Sequence, residues 1–257
     1  MPLRIQAHQV FLNADAVSGM SPTSIEYALS YAKREKTSLD KYVYIGRKKH
    51  VPSEIVRDEY INHLDKIGIT NKTWNICLFT SLSKVGLDGD AMIEGIKIIH
   101  ESFPEVRLIV GGSGDDFERL IGITKNLPFI VFCGWLNDDK MSTIMSISKV
   151  GIMPYKNSVL RNAWGNKVGQ YFSYGLPILT STEGVAKEYF EKYKCGLKYE
   201  EGKPDSLANS IEYLINNPSL LLTLSSNASE RFSLDFEYDV VMRKMEKMII
   251  DVYNTFD

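Results

Sequence analysis

The chain has 257 residues, 44% hydrophobic and 24% charged, with a formal charge of −2. That length can bury a sizeable core, as one large domain or one domain with a fragment of another, and the near-neutral charge argues against bulk nucleic-acid binding. No apolar run approaches the ~20 residues of a membrane helix, and Met1-Pro2-Leu3-Arg4 lacks the apolar core of a signal peptide, so a cytoplasmic location is the default expectation. Cys77, Cys133 and Cys195 are odd in number and lie in or beside apolar segments, which reads as reduced structural thiols rather than a disulfide framework. His8, His50, His63 and His100 are too dispersed for ligand spacing, so neither a metal site nor a Ser-His-Asp arrangement is expected.

In chain order, residues 14–18 and 21–34 read as the end of a βα unit, with Ser21 as N-cap and Pro22 in the first turn. This stretch has no sheet of its own, and residues 1–50 are expected to be the remnant of another domain. Strand-like apolar runs then follow at 42–45, 75–79, 106–110, 129–132, 150–153, 178–180 and 196–199. Helical patterns separate them at 53–66, 90–102, 115–125, 138–146, 164–174 and 185–193. Such alternation predicts an α/β fold, a Rossmann-like parallel sheet flanked by helices. Met92, Ile93, Ile96 and Ile99 form one stripe suited to packing on that sheet. From Asp205 the pattern is wholly helical, over 207–216, 220–231 and 238–253. The expected second domain therefore runs over residues 51–257 and ends in a helical segment.

Four constellations sit where strands end. Gly111-Gly112-Ser113-Gly114 follows a strand and lets backbone approach a ligand, although it lacks the third glycine of a dinucleotide fingerprint and reads equally well as a tight turn. Gly134-Trp135-Leu136 places an aromatic residue where a base can be held. The long loop 154–165 leads to Asn162, Asn166 and Gln170, spaced by four residues, which with the helix extended one turn upstream line one edge and offer amides to hydroxyl groups. Either asparagine alone is more simply an N-cap. Lys167 beside a helix entrance suits an anion, and Lys84, in the small-residue loop after 75–79, is a weaker phosphate candidate. Glu183 and Glu188 follow a strand closely enough to face the same crevice, but solvated helix surface is the simpler reading of both.

Taken in order, these segments resemble the C-terminal, donor-binding half of retaining GT-B-fold glycosyltransferases, the group 1 family. The landmarks are 78–83, Arg107 to Gly114, 132–136, Gly151-Ile152-Met153-Pro154-Tyr155, Asn166-Lys167 through Gly175-Leu176-Pro177, and Gly196-Leu197. The resemblance implies transfer of a sugar from a nucleotide diphosphate sugar to a glycan or lipid-linked acceptor, with retained configuration, no metal ion and no other cofactor. It also implies that the acceptor is bound through an N-terminal domain largely absent here, and it fits peripheral association with a membrane. Gly134, Trp135 and Leu136 would then seat the base, Gln170 the ribose, and Asn162, Asn166 and Lys167 the phosphates and sugar. Asn162 and Gln170 stand where the family usually has glutamates, and Ser81 and Leu87 where it usually has the pyrophosphate-gripping Arg and Lys. Those replacements keep open the alternative of a non-catalytic nucleotide-sugar-binding or partner protein. The catalytic group is not assignable from this chain.

Overall fold

A computed structural model describes residues 2–160 and 164–255. They group into two units, residues 1–48 with 232–257 and residues 49–231.

The first unit begins with helix α1 (Pro2–Asn13), which the sequence pattern does not reveal. Strand β1 (Ser18–Gly19) leads into α2 (Pro22–Ala32), and β1 pairs in parallel with β2 (Lys41–Tyr42). Ser21 caps α2 as expected: its hydroxyl accepts the Ser24 N–H at 3.2 Å, and Ser24 returns the bond to the Ser21 N–H. Val17, Ile25, Ala28 and Leu29 form a small core. Buried Asp40 accepts the N–H groups of Val17 and Thr37, each at 2.7 Å, so its carboxylate closes the turn that the chain makes before β2. The C-terminal helix, Tyr238–Tyr253, belongs to this unit and not to the preceding domain as expected. Backbone explains why: the Arg47 N–H donates to the Phe236 carbonyl at 2.7 Å, and the Tyr238 N–H to the Arg47 carbonyl at 3.0 Å.

The second unit is the expected α/β domain. Its elements are α3 (Glu54–Asp65), β3 (Trp74–Phe79), α4 (Gly89–Ser102), β4 (Val106–Gly111), α5 (Phe117–Thr124), β5 (Ile130–Phe132), α6 (Asp138–Ser146) and β6 (Val150–Met153). They continue with α7 (Asn157–Leu160), α8 (Lys167–Phe172), β7 (Ile178–Thr180), α9 (Val185–Tyr193), β8 (Gly196–Lys198), α10 (Pro204–Asn216) and α11 (Pro218–Arg231). All six strands pair in parallel, in the order β5-β4-β3-β6-β7-β8. Both faces of such a sheet are covered, so its strands read as continuous apolar runs. On one face Ile76, Leu78, Val106, Leu108, Val110 and Ile152 meet Met92, Ile93, Ile96 and Ile99 of α4 with Leu207 and Ile211 of α10. The opposite face includes Phe79, whose ring lies 6.1 Å from that of Tyr171.

The chain starts the sheet at β3, builds outward through β4 and β5, then returns to the other side of β3 with β6. That reversal is a topological switch point, and the carboxyl ends of β3 and β6 flank a crevice there. Only Ile76↔Val150 and Cys77↔Gly151 pair across the two strands, so their ends diverge. Tyr171 fills the divergence. Its hydroxyl accepts the Phe79 N–H at 2.9 Å, and its ring occupies space that a Cβ on Gly151 would contest at 2.6 Å. Burial pushes the phenol well above its usual pKa, so it stays neutral at the centre of the domain.

Candidate functional site

A cavity of about 610 Å³ opens at the switch point, lined by the ends of three strands and by two helices. Phe79, Thr80 and Ser81 come from β3, and Gly111, Gly112 and Ser113 from β4. Trp135 through Asp138 follow β5 into α6, Met141 lies one turn along α6, and Lys167 opens α8. Trp135 is 78% exposed, whereas Leu136 is buried against the position a Gly111 side chain would take. An aromatic face presented to solvent at a cavity mouth is unusual for packing and suits a planar ligand.

The loops reach the cavity because backbone stitches them together. The Thr80 N–H donates to the Gly111 carbonyl at 3.1 Å, the Leu82 N–H to Ser113 at 3.0 Å, and the Gly112 N–H to Gly134 at 2.7 Å. Gly112 has φ +134, and a Cβ there would lie 1.9 Å from the Thr80 carbonyl oxygen. The glycine run is thus required first by contact between loops, which is the tight-turn reading of the motif. Its backbone also faces the cavity.

Of the ten candidate residues, Gly112, Ser113, Trp135, Leu136 and Lys167 converge on this one space. Gly134 lies behind the lining as the acceptor of the Gly112 bond. Asn166 has helical backbone angles, φ −56 and ψ −17, makes no side-chain cap bond, and is not among the lining residues. Gln170 is not a lining residue either: its carbonyl accepts from Lys167 Nζ at 3.1 Å, and its amide faces Met141 Sδ at 3.8 Å. Lys84 also lies outside the lining; its N–H donates to the Asp115 carboxylate at 3.1 Å, and its carbonyl accepts from Lys156 at 2.8 Å. Its charge helps the Arg119 guanidinium hold the Asp116 carboxyl below the usual range. Asn162 lies outside the described residues.

The helix expected at 164–174 is the six-residue α8. A helix that short has a weak dipole, so the Lys167 ammonium carries the positive potential there. Glu183 does not face the cavity; it pairs with Lys198 and, at 3.5 Å, with Lys187. The Lys198 hydrogen bond holds its carboxyl below the usual range.

Several contributing residues carry no obvious signal in sequence. Asn157 holds the long loop: its amide nitrogen donates to Ser181 O at 3.0 Å and Glu201 Oε2 at 2.7 Å, and its oxygen accepts the Glu183 N–H at 2.7 Å. Asn137, the α6 N-cap, accepts the Lys140 N–H at 3.0 Å and thereby directs Asp138 into the first turn beside the cavity. Cys77 and Cys195 are buried and Cys133 is partly buried, and no described helix is long and apolar enough to cross a membrane.

Comparison with known proteins agrees with this fold. CapM, the capsular polysaccharide biosynthesis glycosyltransferase of Staphylococcus aureus, is 25% identical over 170 residues, covering 64% of this chain and 42% of CapM. Anabaena HepE, solved in complex with UDP, superposes with a TM-score of 0.75 at 18% identity over 97% of this chain and 67% of its own. A glycosyltransferase from Rickettsia africae gives a TM-score of 0.77 at 14% identity, over 98% of this chain and 67% of its own. The structural likenesses show the shared GT-B fold, and the chain spans less than half of CapM. The family model for glycosyl transferases group 1 matches residues 83–231, more than half of the chain, and the protein belongs to that family.

Proposed function

We propose that residues 49–231 are the donor-binding domain of a retaining glycosyltransferase that moves a sugar from a nucleotide diphosphate sugar to a glycan or lipid-linked acceptor. Residues 1–48 belong, on this reading, to the acceptor-binding domain. The observation that carries it is the convergence of an exposed indole, a lysine and three backbone-lined strand ends on one cavity at the switch point. That set matches the parts of such a donor: a planar base for Trp135, a diphosphate for Lys167, and small-residue backbone along the path between them. HepE, solved with UDP and with UDP-glucose, supports a nucleotide donor, and CapM supports a role in polysaccharide synthesis.

The protein's chemical task is to stabilise charge on the departing diphosphate. Lys167 supplies a cation at the cavity wall, where it bonds to Gln170. Lys167→Ala should weaken UDP or GDP binding about tenfold in calorimetry, with an unchanged melting temperature. Equal affinity in the variant would remove lysine from the phosphate role, and absence of nucleotide binding by the wild-type chain would remove the donor reading.

A second reading is a binding or partner protein without transfer activity. It is favoured by Gln170, a neutral amide already engaged by Lys167 and Met141. Donor hydrolysis or transfer assayed on the full-length protein separates the two.

A further inference from the structure

We propose that Asp138 is the acceptor for vicinal hydroxyl groups of the bound ligand and so a residue that sets ligand specificity, an inference that rests on the nucleotide-sugar reading above. Among the described residues lining the cavity, Lys167 is the only cation and Asp138 the only anion. On α8, which Lys167 opens, the Gln170 carbonyl already accepts from Lys167 and its amide already contacts Met141 Sδ.

Asp138 differs in kind from its neighbour Asp139. Both lie in the first turn of α6, where a carboxylate complements the helix dipole. Asp139 is partly buried and receives His50 Nε2 at 2.7 Å. Asp138 lines the cavity and, among the described residues, has no ion pair or hydrogen bond. Trp135 and Met141 line the same cavity.

A carboxylate accepts only, and its two oxygens match the spacing of two adjacent hydroxyl groups. Beside a diphosphate it would repel. A carboxylate kept in this cavity therefore belongs at the polyol end of the ligand, away from the charge that Lys167 binds. Two parts of a nucleotide sugar carry vicinal hydroxyls, the ribose and the transferred sugar, and substrate pairs distinguish them.

The test is calorimetry on the full chain with UDP, 2′-deoxy-UDP, UDP-glucose and GDP, comparing wild type with Asp138→Ala and Asp138→Asn. The asparagine variant keeps side-chain volume, and its melting temperature reports on the start of α6. The expected result is about a tenfold loss of affinity for UDP with little change for 2′-deoxy-UDP, which assigns the ribose. A loss for UDP-glucose well beyond that for UDP assigns the sugar and equally supports the proposal. Equal losses for every ligand, tighter binding in the variants, or a loss confined to GDP would overturn it, the last because the guanine edge offers N–H donors instead. If wild type binds none of the four, the donor reading itself fails; if it binds them and the variants match it, only the role of Asp138 fails.

Discussion

The loop after β4 and the loop after β6 both deliver groups to the switch point, yet they are held by different forces. Residues 111–114 are fixed by backbone alone, through the Gly112–Gly134 and Leu82–Ser113 bonds. Residues 154–160 rely on a side chain as well: beyond the backbone bonds of Pro154 with Asp88 and of Lys156 with Gly86, Asn157 gathers Ser181, Glu183 and Glu201 around the start of α7. Backbone stitching admits no side chain at the contact, so it imposes glycine and leaves a readable mark in sequence. A loop clamped by one asparagine leaves no pattern, since the same clamp can be built from many residue pairs.

The sharpest way to break this comparison is Gly112→Ala. The added Cβ would sit 1.9 Å from the Thr80 carbonyl oxygen at a residue whose φ is +134, so strain and overlap act together. We expect a loss of about 3 kcal/mol or more in urea unfolding, and collapse of the cavity wall shared by Thr80 and Gly112. A loss under about 1 kcal/mol would mean that the two loops can separate without cost.

Asn157→Ala should come next, at about 2 kcal/mol, because it leaves the Glu183 N–H and the Ser181 carbonyl without their side-chain partner at a partly buried site. The expected signature is local. Amide exchange should speed up over residues 154–160 while the central strands keep their protection. Uniform acceleration across the domain would show that the clamp supports the whole fold and not only the loop.

The same distinction explains what sequence reveals here. The six strands were legible because both faces of the sheet are buried, which turns β3, with all of its residues buried, into an apolar run with sharp ends. That Gly112, Ser113, Trp135, Leu136 and Lys167 meet at one cavity was legible because strand ends point to one crevice in such a sheet. Helix α1 was not, since Val10 and Leu12 are exposed and no stripe marks a buried face. The role of Tyr171 leaves no mark in sequence; that its hydroxyl accepts from Phe79 depends on the divergence of β3 and β6, a property of the sheet and not of the segment. The expected edge of Asn162, Asn166 and Gln170 assumed a helix extended one turn upstream, but α8 begins at Lys167, with Asn166 at its N-cap. Asp138 was masked by its neighbourhood, because Asn-Asp-Asp before a helix reads as a cap and a favourable first turn.

Gly134 sharpens the comparison from the mild side. It accepts the Gly112 N–H and also has positive φ, +64, but nothing lies within 4 Å of where its Cβ would be. Backbone conformation is therefore the whole reason for glycine there, with no steric contribution. Gly134→Ala should cost about 1 kcal/mol, and Gly134→Asn less, because asparagine tolerates the left-handed region. Thermal unfolding of the two variants beside Gly112→Ala separates conformation from contact. If both Gly134 variants were as damaging as Gly112→Ala, the open space beside Trp135 would have to be occupied in solution, and the separation drawn between the two glycines would be lost.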